Sequence, residues 1–213
     1  MNAKIHTIYK LKDGTIVPSV TQIVGLLNKP ALLEWGWRQG TEGQDIHKIK
    51  DITAEAGRLA HQMILDFLNN KKTDFNEYSK EIIDLAENSF LSFLEWIKDK
   101  KIEPLGVEVS LVSERYKYGG TYDFYGFING TLALIDWKTG SGIYPSYIYQ
   151  ISAYRWLLIE NGFNDPEKVI IIRVNREPNE KYEELIKKDT SIEFEIFKRL
   201  CEIYHLQSLT KIK

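Results

Sequence analysis

Apolar residues recur along this chain at two spacings, and the spacing changes in blocks. "IYKLKDGTIV" alternates around Asp13-Gly14, which predicts a hairpin closed by a two-residue loop. "PSVTQIVGLLNKPALLEWGWRQG" switches to helical spacing and predicts two short helices, the second opened by Pro30 in its first turn. Residues 40–52 are polar and contain glycine, which predicts a loop. From Thr53 the helical period predicts a helix through about Leu68. A longer helix follows at about 79–99, where Ile82, Leu85, Ala86, Phe90, Phe93, Leu94 and Ile97 share a stripe. Strands are predicted at about 105–112, 120–128 and 131–138. "PSYIYQISAYRWLLIENG" reads as a helix between Pro145 and Gly162, "KVIIIRV" (168–174) as a fully buried strand, and 191–206 as an amphipathic helix.

This order predicts an α/β fold: a mixed central sheet flanked by helices, with an N-terminal hairpin and helical elaboration. The helical crossover before "KVIIIRV" favours parallel pairing for that strand. A chain of 213 residues fits a single domain. Within it, 1–52 reads as an elaboration, 53–175 as the core and 176–213 as a C-terminal helical extension.

The strand at 131–138, "TLALIDWK", poses the chemical problem. It is apolar enough to be buried, yet ends in Asp136 and Lys138. Asn129-Gly130 just before it is a strong hairpin signal. With those two residues as the loop, Ile128 faces Thr131, Phe127 faces Leu132 and Tyr125 faces Leu134. Counting outward brings Asp123 opposite Asp136, and alternation puts both aspartates and Lys138 on one face. Carboxylates so paired have Cβ atoms about 5 Å apart and repel. A divalent cation held by oxygen ligands would offset that repulsion, with Lys138 as a second positive charge. The ordinary alternative is a hydrated pair at a frayed strand end.

Other groups could converge on the same place. Glu108 points away from Val107 and Val109, as a solvent-facing strand glutamate also would. His61 shares a helical face with Ile64, Leu65 and Leu68, where a hydrogen-bonded core histidine is the ordinary use. Gln150 and Tyr154 are four apart on one helix and so share a face.

Net charge is −2, with 43% hydrophobic and 27% charged residues, which fits a globular chain without a broadly basic coat. Residues 1–50 lean basic and 51–100 acidic. No apolar run approaches the ~20 residues of a membrane span, and the N-terminus lacks the apolar stretch of a secretion signal. Cys201 is the one cysteine, so an internal disulfide and a four-cysteine iron–sulfur cluster are excluded. A cytoplasmic setting, in a bacterium or phage-infected cell, is the expectation.

Five short segments occur in an informative order: "GRLAH" (57–61), "VE" (107–108), "GGTYD" (119–123), "DWK" (136–138) and "QISAY" (150–154). Together they resemble the RecB-like branch of the PD-(D/E)xK nuclease superfamily. Residues 18–40 are also similar to the opening of phage-type exonucleases and of the mitochondrial genome maintenance exonuclease. The resemblance implies a restriction-endonuclease-like αβββαβ core and a Mg²⁺- or Mn²⁺-dependent DNA exonuclease of recombination, repair or replication. It implies that His61, Asp123, Asp136 and the main-chain carbonyl of Trp137 hold the metal, with Glu108 as an accessory acid. Lys138 would orient or polarise the attacking water and the phosphate, and Gln150 and Tyr154 would position the DNA and support the site. The expected partners are DNA ends and a single-strand annealing protein. An endonuclease of the same fold and a non-catalytic DNA-binding subunit are the alternatives.

For DNA contact, "SERYKYGGTY" interleaves Arg115 and Lys117 with Tyr116, Tyr118 and Tyr122, a mixture suited to single strands and equally to a solvated hairpin loop. Arg173 and Arg176 could hold phosphates or form rim ion pairs. Trp35 and Trp37 could line a wedge near the strand end or pack their helix onto the core.

Overall fold

Asn129 and Gly130 both adopt the left-handed backbone, with φ of 49° and 77°, the pair of conformations a type I′ turn requires. That turn sets the register of the strands on either side, Ile128 opposite Thr131 and Phe124 opposite Ile135, as the sequence predicts. The computed structural model describes residues 7–27, 30–178 and 180–210. Its elements in chain order are β1 (Tyr9–Lys10), β2 (Ile16–Val17), α1 (Val20–Val24), α2 (Pro30–Thr41), α3 (Ile46–Leu68), α4 (Lys80–Ile97), β3 (Ile102–Ser113), β4 (Tyr118–Ile128), β5 (Thr131–Lys138), α5 (Pro145–Glu160), β6 (Lys168–Arg173), β7 (Glu183–Lys187) and α6 (Ser191–Leu209).

The central sheet has the order β3-β4-β5-β6-β7. All neighbours are antiparallel except β5 and β6, which α5 connects in parallel as the crossover argument requires. Each strand in the middle is buried on both faces. Leu132 and Leu134 of β5 pack with Ile151 and Leu157 of α5 and Phe197 of α6. Ala133, Ile135 and Trp137 face the other way, toward Ile64 of α3 and Phe93 and Trp96 of α4. A strand sandwiched between helices needs apolar side chains at every position, which is why "TLALIDW" shows no alternation. The αβββαβ order and the mixed sheet flanked by helices are therefore as expected.

Four expectations change. The β1–β2 hairpin pairs Lys10 with Ile16, the Leu11 main-chain N–H donates to the Thr15 carbonyl, and the Gly14 N–H donates to the Leu11 carbonyl. Its loop is therefore Lys12, Asp13 and Gly14, with Gly14 at φ 85°. Helix α3 starts at Ile46, seven residues before Thr53, because the Asp45 carboxylate caps it by accepting from the amides of His47 and Lys48. The segment after 175 is not purely helical, since β7 extends the sheet against β6. And β3 is not a regular strand: its register slips between Pro104 and Gly106, and Glu108 sits at φ 54°. That left-handed residue turns the ribbon over. Val107 packs on the α3–α4 side and Val109, two positions on, packs on the α5 side. On β4, Phe124 and Tyr122 change sides in step.

Leu134 is fully buried at the centre of β5. Leu134→Ala should lower unfolding free energy by about 3 kcal/mol in chemical denaturation, through lost burial and a residual cavity. A loss below about 1 kcal/mol would mean that β5 is not the central strand.

Candidate active site

The ribbon turns over at Glu108 and Asp123, one step beyond the last regular pair of β4 with β5. Instead of closing another rung, Asp123 Oδ2 accepts the main-chain N–H of Trp137 at 2.7 Å. This anchors one carboxylate oxygen and leaves Oδ1 facing His61 Nδ1 at 3.7 Å, too far for a hydrogen bond. His61 comes from α3, which approaches the end of β5 closely because Gly57, one turn earlier, has no side chain. A Cβ there would lie 2.8 Å from Thr139 Oγ1. His61, Glu108 and Asp123 each offer a ligand atom, and these atoms lie within 4.8 Å of one another.

Beside this trio is a second group. Asp136 is 1% exposed, and its Oδ2 lies 2.6 Å from Lys138 Nζ at an angle outside hydrogen-bond geometry. The contact is an ion pair, and that buried oxygen accepts no hydrogen bond. Lys138 Nζ donates to Gln150 Oε1 at 3.1 Å and sits 4.9 Å above the Tyr147 ring. Gln150 Nε2 in turn donates to the Tyr154 hydroxyl at 2.7 Å, which fixes the amide so that its oxygen faces the lysine. The Tyr154 ring fits only because residue 120 is glycine, where a Cβ would lie 2.6 Å from Cε1.

The charges interact strongly. Burial pushes the Asp136 carboxyl up to about 6, with Asp123 adding to the shift and Lys138 opposing it. Glu108 is raised to about 7, by loss of solvation and then by Asp123, with His61 opposing. Solvent tempers the Glu108 shift, since that side chain is exposed along one side. Burial disfavours the His61 cation, yet Asp123 outweighs it and the imidazole is raised overall. For Asp123 burial works upward, and His61 and Lys138 carry the net shift downward. Lys138 is penalised by burial but raised by Asp136 and Asp123, so it stays cationic.

These residues fit a divalent cation. The donor set is carboxylate oxygen and imidazole nitrogen. The spread of the trio is close to the ~4.2 Å between opposite ligands around a small cation, and the buried Asp136 Oδ2 accepts no hydrogen bond beside its ion pair with Lys138. The set gathered is not quite the one the resemblance implies. Glu108 joins His61 and Asp123, while Asp136 is held by Lys138. Trp137 borders the cleft, and since its indole is buried against Phe93 and Trp96, what it offers there is main chain.

The cleft has a volume of about 350 Å³ and reaches from His61 past Lys138 and Tyr147 to Arg176. Tyr147 is a site residue that the sequence reading missed. Its place three residues before Gln150 and seven before Tyr154 puts it on their helix face, so a signal was present.

The expected DNA contacts divide. Arg176 borders the cleft, and burial lowers its pKa. Arg173 does not reach it. It is buried and committed to Glu183 at 2.8 Å and to Asn175 at 2.6 Å, because β7, absent from the sequence reading, brings Glu183 alongside. Tyr118 is fully buried and donates its hydroxyl to the Ala153 carbonyl, so no base can stack on it. Arg115 and Lys117 are exposed at the β3–β4 turn, with the Arg115 guanidinium 5.1 Å from the Tyr116 ring. Trp37 is 74% exposed on α2, and Trp35 is half-buried.

No family model and no curated protein matches the chain. Among solved structures it is similar to SSO0001, at 18% identity and a TM-score of 0.39 over 73% of this chain and 74% of that one. It is also similar to LHK-Exo in complex with dAMP, at 11% identity and 0.38 over 70% and 76%. A further likeness is to the alkaline exonuclease LHK-Exo from Laribacter hongkongensis, at 12% and 0.35 over 90% and 92%. Likenesses this distant assign no activity to the chain. No helix among the described residues is long and apolar enough to cross a membrane.

The raised carboxyls give a pH dependence with a definite sign. Between about pH 4 and pH 7 the metal-free folded state holds protons on Asp136 and Glu108 that the unfolded chain has released. Their contribution to stability is therefore complete below about pH 4 and lost as pH rises to about 7, and raised His61 acts in the same direction. Melting in EDTA should show this decline, and Mn²⁺ should raise Tm more at about pH 7.5 than at about pH 5. Equal shifts at the two pH values would contradict the assignment.

Proposed function

We propose that this chain is a divalent-metal-dependent deoxyribonuclease that hydrolyses phosphodiesters from DNA ends. The observation that carries this is the meeting of His61, Glu108 and Asp123 within 4.8 Å beside the buried Asp136–Lys138 pair. A purely structural cluster has little reason to bury a carboxylate oxygen that has an ion pair to Lys138 but accepts no hydrogen bond, next to a cleft lined by His61, Lys138 and Arg176.

A phosphodiester resists hydrolysis because its negative charge repels the nucleophile and its leaving group is poor. His61, Glu108 and Asp123 would hold Mg²⁺ or Mn²⁺, and the family resemblance would add Asp136 as a further ligand; the imidazole suits Mn²⁺ well. A cation bound there lowers the pKa of its water and neutralises charge on the phosphate. The chain's own groups do the rest. Lys138 is kept protonated by Asp136 and Asp123, so it serves as a fixed cation for the charge that builds on phosphate oxygen, and not as a base. Gln150, oriented by Tyr154, holds the Lys138 ammonium in place. Glu108, at the exposed edge, is the carboxylate best placed to take a proton from the attacking water. Arg176 at the far end of the cleft supplies charge for a neighbouring phosphate.

DNA as substrate, and ends over internal sites, are supported by the five-segment resemblance and by residues 18–40. A role in phage-type recombination, repair or replication, with an annealing protein as partner, rests on the same support. The chain is proposed to act as one nuclease domain over 1–213.

Purified protein with Mg²⁺ or Mn²⁺ should degrade end-labelled linear DNA, spare a sealed circle and stop in EDTA. Asp123→Ala, Asp136→Ala and Lys138→Ala should each lower the rate at least about 10³-fold while melting cooperatively. Arg176→Ala should act mainly on KM. Wild-type turnover by folded Lys138→Ala would refute the mechanism, and rapid cutting of the circle would make the enzyme an endonuclease. Metal-dependent DNA binding without product would instead indicate a non-catalytic DNA-binding subunit.

A further inference from the structure

Helix α6 is apolar on two opposite faces. Its inner face buries Phe194, Phe197 and Cys201 against the α5 layer. On the outer face, Ile192, Ile196, Arg199, Ile203 and Leu206 follow one another at steps of four, three, four and three. That is the spacing of a helix–helix seam, and it runs directly opposite the buried face. Ile192 is 72% exposed, Ile203 46% and Leu206 62%. A surface helix ordinarily carries polar residues there, and one that is apolar on both sides is built to be covered twice.

The charges identify the cover. Arg199 is the one polar residue in the seam, and the groups on the flank beside it are Glu195 and Glu202, the latter already 3.0 Å from its guanidinium. A surface carrying both a central cation and its flanking anions is complementary to itself. Parallel pairing would set Arg199 against a second Arg199. Antiparallel pairing avoids that, opposes the two helix dipoles and brings each Arg199 to the Glu202 of the other copy. We propose that the outer face of α6 binds a second copy of this chain as a two-fold antiparallel helix pair. In that arrangement Ile196 packs near Leu206 of the second copy and Arg199 lies beside its Ile203. No side chain of the candidate active site comes from α6, so the pairing does not depend on the proposed activity. A single helix pair sits at the low end of interface size, so the dimer is reversible, with Kd in the micromolar range.

Sedimentation velocity from about 2 to about 200 µM, without DNA or metal, tests this. The wild-type chain should pass from monomer to dimer. Ile203→Glu and, separately, Leu206→Glu should weaken association at least about tenfold while leaving the circular dichroism melt unchanged, since both positions are exposed. Arg199→Glu should also weaken it, and Arg199→Glu with Glu202→Arg should restore it to within about threefold. A monomer across the whole range overturns the proposal, as does a dimer that both glutamate variants form as well as the wild type. A double charge reversal no tighter than Arg199→Glu overturns the antiparallel arrangement.

Discussion

Asp123 and Asp136 lie one step beyond the last regular pair of a hairpin, near enough that Asp123 raises the Asp136 carboxyl, and their repulsion organises this end of the molecule. Each carboxylate is met by a different answer. A main-chain amide takes one oxygen of Asp123, and Lys138 takes Asp136. The lysine is then steadied by Gln150, and the glutamine by Tyr154, so a single electrostatic conflict on β4 and β5 reaches through two residues of α5. From the opposite side α3 contributes His61. The helices do not merely cover the sheet; each supplies part of the compensation for charges the sheet carries. Two glycines set the spacing. Gly57 lets α3 come down to the end of β5, and Gly120 admits the Tyr154 ring.

Much of this was legible in the sequence because it follows from short-range rules. Asn129-Gly130 dictates a type I′ turn, the turn dictates a register, and a register has only one place for each side chain. The helix spacing of Gln150 and Tyr154 is equally local. What escaped detection depends on contacts between distant segments. Nothing around Glu108 marks a left-handed residue, since the conformation is imposed by the turning of the ribbon it belongs to. The early start of α3 was hidden by its polar first turns, although Asp45 is an ordinary cap. Arg173 and Tyr118 looked like surface chemistry, and became core groups because β7 and α5 brought them a carboxylate and a carbonyl.

The two sides of the sheet also divide the labour. The α3–α4 side is bound by an aromatic cluster of Phe93, Trp96, Phe124 and Trp137, which makes the wall behind the histidine stiff. The α5–α6 side holds the lysine and its supports, and its outer surface remains apolar. A rigid wall on one side and hydrogen-bonded groups on the other suit a site that must hold fixed charges while leaving its mouth open.

The bend at Glu108 has an effect unrelated to ligands. β3 is twelve residues long and forms one border of the sheet, where a flat strand would present a row of free amides and carbonyls to any passing chain. Pro104 lacks an amide, the register slips beside it, and the left-handed Glu108 interrupts the row again a little further on. Left-handed backbone at a non-glycine residue costs about 1–2 kcal/mol. The same distortion that brings the Glu108 carboxylate to His61 and Asp123 therefore leaves no straight stretch of border long enough to template a foreign strand, and protects the protein from aggregation along that side.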